Sequence, residues 1–136
     1  MNKMVADWVV KLHEKKVGYL MSLIVPMLGS SDKILDLGSG SGEISKALIE
    51  AGYKVTSMDV IDKVKVGGVK VVVYDGKNIP FGDKEFDTVL LITVLHHVAW
   101  YKDLILDASR VGKKILIVED IYMNWWDRLN IWFWDS

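Results

Sequence analysis

Three glycines at alternate positions form the strongest site signal in the chain. Gly38, Gly40 and Gly42 follow an apolar segment that ends with Asp36 and Leu37, and Glu43 begins a helical pattern. Because glycine lacks a β-carbon, such a turn lets the backbone bend sharply and lets a ligand lie against the main chain. The free N–H groups at the start of the next helix favour a polar or anionic ligand group. The pattern therefore predicts a small-molecule site between a strand and a helix.

The glycine turn alone does not identify the ligand. A dinucleotide-binding turn carries glycine or alanine where this chain has Glu43, and a carboxylate there would repel a pyrophosphate. A glycine-rich connection without any ligand is the simpler alternative. The residues that end the neighbouring strands decide between these interpretations of the turn.

Acidic residues end the next two predicted strands. Asp59 ends the second, where a carboxylate can accept both hydroxyls of a ribose. Asp75 ends the third and precedes Gly76, and an Asp-Gly pair also favours a plain β-turn. We therefore expect Asp59 and Asp75 to lie near the glycine turn, since parallel strands end at one edge of a sheet.

Two adjacent histidines follow the fourth predicted strand. Neighbouring side chains rarely point the same way, and no metal-binding pattern accompanies His96 and His97, so no metal site is predicted. A histidine suits acid–base chemistry at neutral pH, and one of the two could face the pocket. The sequence does not assign a catalytic residue.

The motifs taken together resemble a known enzyme family. From Asp75 the chain reads Asp-Gly-x-x-Ile-Pro-Phe-x-Asp-x-x-Phe-Asp-Thr-Val, and Thr93-Val94-Leu95-His96-His97-Val98 ends the fourth strand. With the glycine turn, and with the helix and strand that follow, these stretches resemble class I S-adenosylmethionine (SAM)-dependent methyltransferases of the small-molecule type. The resemblance runs from Lys33 to Asp120.

The resemblance implies SAM as cofactor and assigns residues to it. The three glycines would shape the methionine site, Asp59 would hold the ribose and Asp75 the adenine amino group. SAM carries an amino-acid group and no phosphate, so the acidic Glu43 is tolerable. Thr93 departs from the acidic or amide residue that the family often has there. The implied cofactor-binding set is Asp36, Gly38, Ser39, Gly40, Gly42, Asp59, Val60, Asp75, Gly76 and Thr93.

The elements that must position these residues alternate between strands and helices. Apolar runs predict strands over 33–37, 54–58, 69–74, 86–93 and 114–119, and helical spacing predicts helices over 3–25, 43–51 and 99–110. Gly18 could divide the first helix in two, and the connection over 60–68 is too short for a helix. Strands that are apolar throughout indicate a parallel α/β sheet covered on both faces. The resemblance adds a Rossmann-like, doubly wound strand order of 3-2-1-4-5.

The end of the chain is the irregular part. Residues 121–136 are rich in tryptophan at helical spacing, which predicts a helix packed on the sheet, a homodimer or partner interface, or a weaker membrane contact. Without the strand hairpin that the family usually has next, strand five would be a bare edge. We therefore expect either a shortened chain or an oligomer that covers this edge.

Composition sets the remaining limits. The 136 residues predict one domain, with N-terminal helices over 1–30, a cofactor-binding core over 33–120 and the Trp-rich helix over 121–136. A net charge of -1 argues against a nucleic-acid platform, and the absence of cysteine excludes disulfides and fits a cytoplasmic protein. No apolar run is long enough for stable membrane insertion.

These observations favour one function over two others. The leading hypothesis is methyl transfer from SAM to an unidentified small-molecule acceptor. The alternative is an inactive SAM-binding subunit or interaction protein that uses its Trp-rich end. A nicotinamide-dependent enzyme is disfavoured by Glu43.

Overall fold

A single sheet organises the part of the chain that the computed structural model describes, residues 2–123 and 126–135, with side chains as far as Glu119. Its strands are β1 (Lys33–Leu37), β2 (Lys54–Asp59), β3 (Val71–Val73), β4 (Phe86–Ile92), β5 (Gly112–Met123) and β6 (Trp126–Asp135). The helices are α1 (Lys3–Ile24), α2 (Glu43–Glu50) and α3 (Tyr101–Val111), with short 3₁₀ turns at Val25–Met27 and Leu95–His97.

The strand order confirms the predicted fold class. Spatially the strands run β3-β2-β1-β4-β5-β6, and the first five are parallel in the order 3-2-1-4-5. Parallel strands need crossover connections: α2 supplies the one between β1 and β2, and α3 supplies the one between β4 and β5. The carboxyl ends of β1, β2 and β4 therefore meet at one edge, next to the loops that follow them.

An apolar layer covers each face of the sheet. Neighbouring residues of β4 alternate between them: Leu90 packs with Ile24 of α1 and Leu48 of α2, whereas Leu91 packs with Leu104 and Ala108 of α3. Burying one such large side chain stabilises a fold by about 1.5–3 kcal/mol. The two layers hold the central strands from both sides and so fix the relative positions of the loops at their ends.

Most element boundaries follow the sequence, with three adjustments. Helix α1 is continuous, so the predicted division at Gly18 is wrong; a glycine inside a helix costs only about 1 kcal/mol, which the buried Leu20 and Ile24 offset. Strand β3 is shorter than predicted and β5 is longer. The predicted helix-free connection between β2 and β3 is confirmed.

The Trp-rich segment is a strand, so the helix predicted over 121–136 is wrong. Strand β6 runs antiparallel to β5 in a register that extends from Lys114 opposite Asp135 to Met123 opposite Trp126. The open edge of β5 offers a row of backbone N–H and C=O groups, and aromatic residues favour strands, so pairing prevails over the helical spacing. The predicted bare edge at β5 is therefore also wrong. Residues 124, 125 and 136 of this segment lie outside the described residues.

None of the helices in the described ranges has the length and apolar character needed to cross a bilayer.

Candidate functional site

The glycine turn leaves β1 at Leu37 and enters α2 at Glu43. Gly38 has φ 80°, and its N–H and that of Ser39 both donate to the carbonyl of Met58, over 2.7 and 3.0 Å. A β-carbon at Gly38 would approach Val94 Cγ2 to 2.5 Å, whereas one at Gly40 would meet no atom within 4 Å. The turn is thus tightly packed at Gly38 and borders open space at Gly40.

Asp59, the last residue of β2, fastens this turn. Its Oδ2 accepts the N–H of Gly40 over 2.8 Å, and its Oδ1 accepts the N–H of Val60 over 2.7 Å. An ionised carboxylate has about four lone-pair positions, so each oxygen can accept a further hydrogen bond. The side chain can therefore hold the turn and two hydroxyl groups of a ligand together.

Asp75 is exposed and organises the turn after β3. Its Oδ1 accepts the N–H groups of Lys77 and Asn78, both over 2.8 Å, and its Oδ2 accepts the Asn78 side-chain amide over 3.2 Å. The backbone hydrogen bonds, that from Asn78 first, hold the pKa of Asp75 below its ordinary value. This is the β-turn that the Asp-Gly pair favours in the sequence. One lone pair of Oδ2 is left for an amino group.

Gly76 joins this turn to the region after the fourth strand. The Gly76 carbonyl accepts the indole N–H of Trp100 over 2.8 Å, and Gly76 itself is buried with φ 82°. A β-carbon at this position would lie 3.0 Å from Val60 Cγ1. Trp100, which the sequence analysis did not single out, therefore forms one wall of the site.

Two cavities meet at the glycine turn. The first has a volume of about 630 Å³, and the second, beneath α1, about 210 Å³. Gly38, Gly40 and Thr93 line both of them. The predicted residues that line only the first are Asp59, Val60, Asp75 and Gly76, and those that line only the second are Asp36 and Ser39.

Gly42 is the one predicted residue that lines neither cavity. It is buried, and a β-carbon there would lie 3.2 Å from Val66 and 3.4 Å from Val69, both in the connection between β2 and β3. Its φ of 91° lets the chain enter α2. The structure thus places Gly42 where the turn packs against this connection.

Asp36 and Ser39 supply buried polar groups to the smaller cavity. Ser45 Oγ donates to Asp36 Oδ2 and Ser57 Oγ donates to Ser45 Oγ, each over 2.6 Å. Burial raises the pKa of the Asp36 carboxyl to about 6, against the opposing hydrogen bond from Ser45. Within the described residues, Ser39 Oγ is buried and has no hydrogen-bond partner. Buried polar atoms are rarely left unpaired, so this hydroxyl is available for a hydrogen bond to a ligand atom in the smaller cavity.

Glu43 connects the turn to α1. Its carboxylate accepts hydrogen bonds from Ser41 Oγ and, over 2.9 Å, from His13 Nε2. Partial burial raises its pKa, but the hydrogen bonds from Ser41 and His13 outweigh that effect and hold the pKa below its ordinary value. The negative charge at the start of α2 is therefore maintained.

Thr93 carries strain at the end of β4. It has φ 52°, a conformation that costs a β-branched residue about 1–2 kcal/mol. Its N–H donates to the carbonyl of Val118 over 2.6 Å. This hydrogen bond holds the turn in which the chain leaves β4, so that both Thr93 and His97 line the larger cavity.

Glu119 fixes the histidine pair and was missed from the sequence. Its Oε1 accepts the N–H of Leu95 over 2.7 Å, and its Oε2 lies 2.8 Å from His96 Nδ1. The rings of His96 and His97 lie 3.8 Å apart between centroids. Among the described residues, no group of three or more metal-ligating side chains comes together. The available signal was a carboxylate at the end of the fifth predicted strand, 114–119, beside the predicted end of the fourth.

These features fit SAM. The larger cavity lies within the usual size range of small-molecule sites, about 300–1,000 Å³. Asp59 can accept ribose hydroxyls, Ser39 offers an unpaired hydroxyl, and Asp36 can balance an ammonium group. The absence of a side chain at Gly40 leaves room against the main chain.

The sequences of several proteins are similar to much of this chain. An uncharacterised protein of Methanocaldococcus jannaschii is 36% identical over 87 residues, which is 61% of this chain and 42% of that protein. A demethylmenaquinone methyltransferase of Corynebacterium urealyticum is 31% identical over 99 residues, 68% of this chain and 43% of that enzyme. The chain thus spans less than half the length of these relatives.

Solved structures share the fold. A protein of Pyrococcus horikoshii OT3 superposes with a TM-score of 0.71 at 24% identity, over 79% of this chain and 58% of that one. A structure described as a SAM-dependent methyltransferase, from Methanosarcina mazei, superposes with a TM-score of 0.62 at 26% identity, over 76% of this chain and 58% of that one.

A family model matches the core of the chain. The model describes a methyltransferase domain and matches residues 35–116, from the middle of β1 into β5. This range contains the glycine turn, Asp59, Asp75 and the end of β4, and it is more than half of the chain. The chain therefore belongs to the methyltransferase-domain family, as its resemblance to class I enzymes predicted.

Proposed function

We propose that this chain binds SAM in the joined cavities and transfers its methyl group to a small-molecule acceptor. The observation that carries the proposal is the meeting of the glycine turn, Asp59 and Asp75 around one cavity at the carboxyl ends of the strands. SAM is the cofactor that accompanies membership of this family. The ten residues predicted from the sequence are proposed as its binding set.

The proposed division of the site follows its polar groups. The ribose hydroxyls lie against Asp59, and the adenine lies between Asp75, Gly76 and Trp100 in the larger cavity. The methionine end lies in the smaller cavity, with its ammonium near Asp36 and its carboxylate near the Ser39 hydroxyl. Gly42 supports the turn where the turn packs against the connection between β2 and β3.

When bound, SAM would supply a methyl group on a sulfonium sulfur. The acceptor nucleophile would bond to the methyl carbon as the carbon–sulfur bond breaks and S-adenosylhomocysteine leaves. The contribution of the protein is to position the two molecules and to exclude water. Thr93 and His97 line the wall of the larger cavity beyond the glycine turn, so we propose that the acceptor approaches over them. Such a displacement needs no general base when the acceptor is already nucleophilic, and we assign none.

Location and partners follow the sequence-based expectations. We propose a cytoplasmic protein with a small-molecule acceptor. Because β6 covers β5, a second copy or protein partner that extends the sheet at this end would pair with β6. Relatives described as demethylmenaquinone methyltransferases make demethylmenaquinone the first acceptor to test.

The test is calorimetric titration of the chain with SAM, S-adenosylhomocysteine and NADH. We expect the first two to bind and NADH not to bind. Replacement of Asp59 by alanine should weaken SAM binding by about 1–3 kcal/mol, because ligand hydroxyls lose a partly buried acceptor. Asp62→Ala is the matched control: Asp62 is an exposed carboxylate in the following loop that lines neither cavity.

The outcomes separate the three functions. SAM binding with methyl transfer to demethylmenaquinone or another acceptor supports the enzyme. SAM binding without turnover on any acceptor supports the inactive subunit. NADH binding without SAM binding, or equal weakening by Asp59→Ala and Asp62→Ala, contradicts the proposal.

A further inference from the structure

One side of α1, mainly in its first half, exposes an apolar surface that the candidate site does not use. Met4, Trp8 and Tyr19 are 72%, 62% and 54% exposed, and Val5 and Leu12 are exposed as well. Successive members of this set lie at spacings of one, three, four and seven residues, which places all five on one side of the helix. We call these five residues the outer face of α1.

This face is distinct from the one that holds α1 to the body. Leu20 and Ile24 pack with Ile34, Leu48 and Leu90 beneath the helix. Their burial accounts for the attachment of the second half of α1. The outer face belongs mainly to the first half of α1. Its exposure to water is unfavourable, and no contact within the described part of the chain covers it.

Lysines border the outer face. Lys11, Lys15 and Lys16 follow Trp8 and Leu12 at spacings of three and four residues, and all three are exposed. Among the described residues none of them forms an ion pair. The two acidic residues of the helix, Asp7 and Glu14, lie seven positions apart and so share another side.

This arrangement identifies the chemistry of the missing partner. Aromatic and aliphatic side chains bordered by lysines suit the boundary between the acyl chains and the headgroups of an anionic bilayer. Lysine stems extend along apolar surface while their ammonium groups reach phosphates. A second copy docked symmetrically on this face would bring the same lysines together, so charge favours an anionic surface over a homodimer.

We propose that the outer face of α1 docks the protein on the surface of an anionic lipid bilayer. The helix lies in the interface without crossing it. On its inner side, α1 forms with α2 a groove of about 800 Å³ that includes Val9 and Met21. The groove shares His13, Val17, Ser41 and Glu43 with the smaller cavity. Docking by the outer face therefore places α1 between the bilayer and the candidate site. The proposal stands independently of methyl transfer.

Vesicle flotation with the full chain tests this docking. Vesicles are prepared from phosphatidylcholine alone or with one quarter phosphatidylglycerol, at about 0.1 M and about 1 M salt. We expect binding to the anionic vesicles, weaker binding at high salt and little binding to the neutral vesicles. Trp8→Glu should lower the partition coefficient roughly tenfold to hundredfold.

Matched variants on α3 control for the added charge. Leu106 is an apolar residue with 67% exposure, so Leu106→Glu makes the same kind of change away from α1. Lys11→Glu and Lys15→Glu should each weaken anionic binding by at least about fivefold, whereas Lys102→Glu on α3 should have much less effect. Circular dichroism and thermal unfolding establish that each variant is folded.

Three results would overturn the proposal. The first is absence of binding to anionic vesicles by the folded chain. The second is equal loss of binding in Trp8→Glu and Leu106→Glu. The third is a dimer in sedimentation that Trp8→Glu dissociates while vesicle binding is absent, which would assign the outer face to a second copy.

Discussion

At the scale of single residues, the glycine turn contains glycines that are required for different physical reasons. Gly38 is confined by Val94, and Gly42 is confined by valines of the connection between β2 and β3. Gly40 is unconfined, has φ 55° and lines both cavities. A side chain at Gly40 would therefore disturb a ligand more than it disturbs the fold.

Gly40→Ala should separate ligand binding from stability. The left-handed backbone costs alanine about 1–2 kcal/mol of folding stability, while the methyl group fills space proposed for SAM and lowers its affinity about tenfold or more. Gly52→Ala is the control, since Gly52 has φ 98°, meets nothing within 4 Å and lines neither cavity. Its stability should fall similarly with SAM affinity unchanged. Denaturant unfolding and calorimetry provide the two readouts, and equal affinity losses would place the ligand elsewhere.

At the scale of elements, the pairing of β5 with β6 is the feature with the clearest consequences. Thr93 donates its N–H to the carbonyl of Val118, so the peptide groups of Val118 face β4. In a regular strand those of Glu119 then face β6. The register places Val118 opposite Ile131 and Glu119 opposite Asn130. The N–H of Asn130 therefore points into the ladder, and that of Ile131 points away from β5.

Proline substitution in β6 tests this register. Asn130→Pro removes a ladder hydrogen bond, whereas Ile131→Pro removes an N–H that faces away from β5. With each variant compared with alanine at the same position, Asn130→Pro should lower the free energy of unfolding by about 1–2 kcal/mol more than Ile131→Pro. Denaturant titration measures the difference. The reverse order would show that β6 is shifted by one residue.

At the scale of the whole molecule, the sequence was sufficient for the parts that local pattern determines. Apolar runs located the five parallel strands, and the glycine turn with Asp59 located the cavity, because both signals lie within short segments. The strand at 126–135 was missed because an aromatic-rich segment fits helical spacing as well as alternation, and its partner strand decides between them. Contacts between distant residues, such as Glu119 with His96 and Gly42 with Val66, likewise exist only in the folded chain.

The free energy of unfolding should depend on pH through one buried carboxyl, that of Asp36. Asp36 has a pKa of about 6 in the fold against 3.8 for an unperturbed aspartate. Because the raised pKa favours the protonated form, its contribution to stability is complete below about pH 4 and is lost as the pH rises through about 6. A shift of two units corresponds to about 3 kcal/mol. Glu43 and Asp87, whose pKa values are lowered, act in the opposite direction.

Asp36→Asn isolates this effect from the other carboxyls. Asparagine has no charge to desolvate, and its side-chain carbonyl can still accept the hydrogen bond from Ser45. Relative to the wild type, the variant should therefore gain about 2–3 kcal/mol of unfolding free energy between pH 4 and pH 7.5. Chemical denaturation of both proteins across this range gives the difference, in which the contributions of Glu43 and Asp87 cancel. A difference that is constant with pH would mean that Asp36 ionises in the folded protein as it does in the unfolded chain, and so that the smaller cavity is open enough to water to keep the carboxylate hydrated.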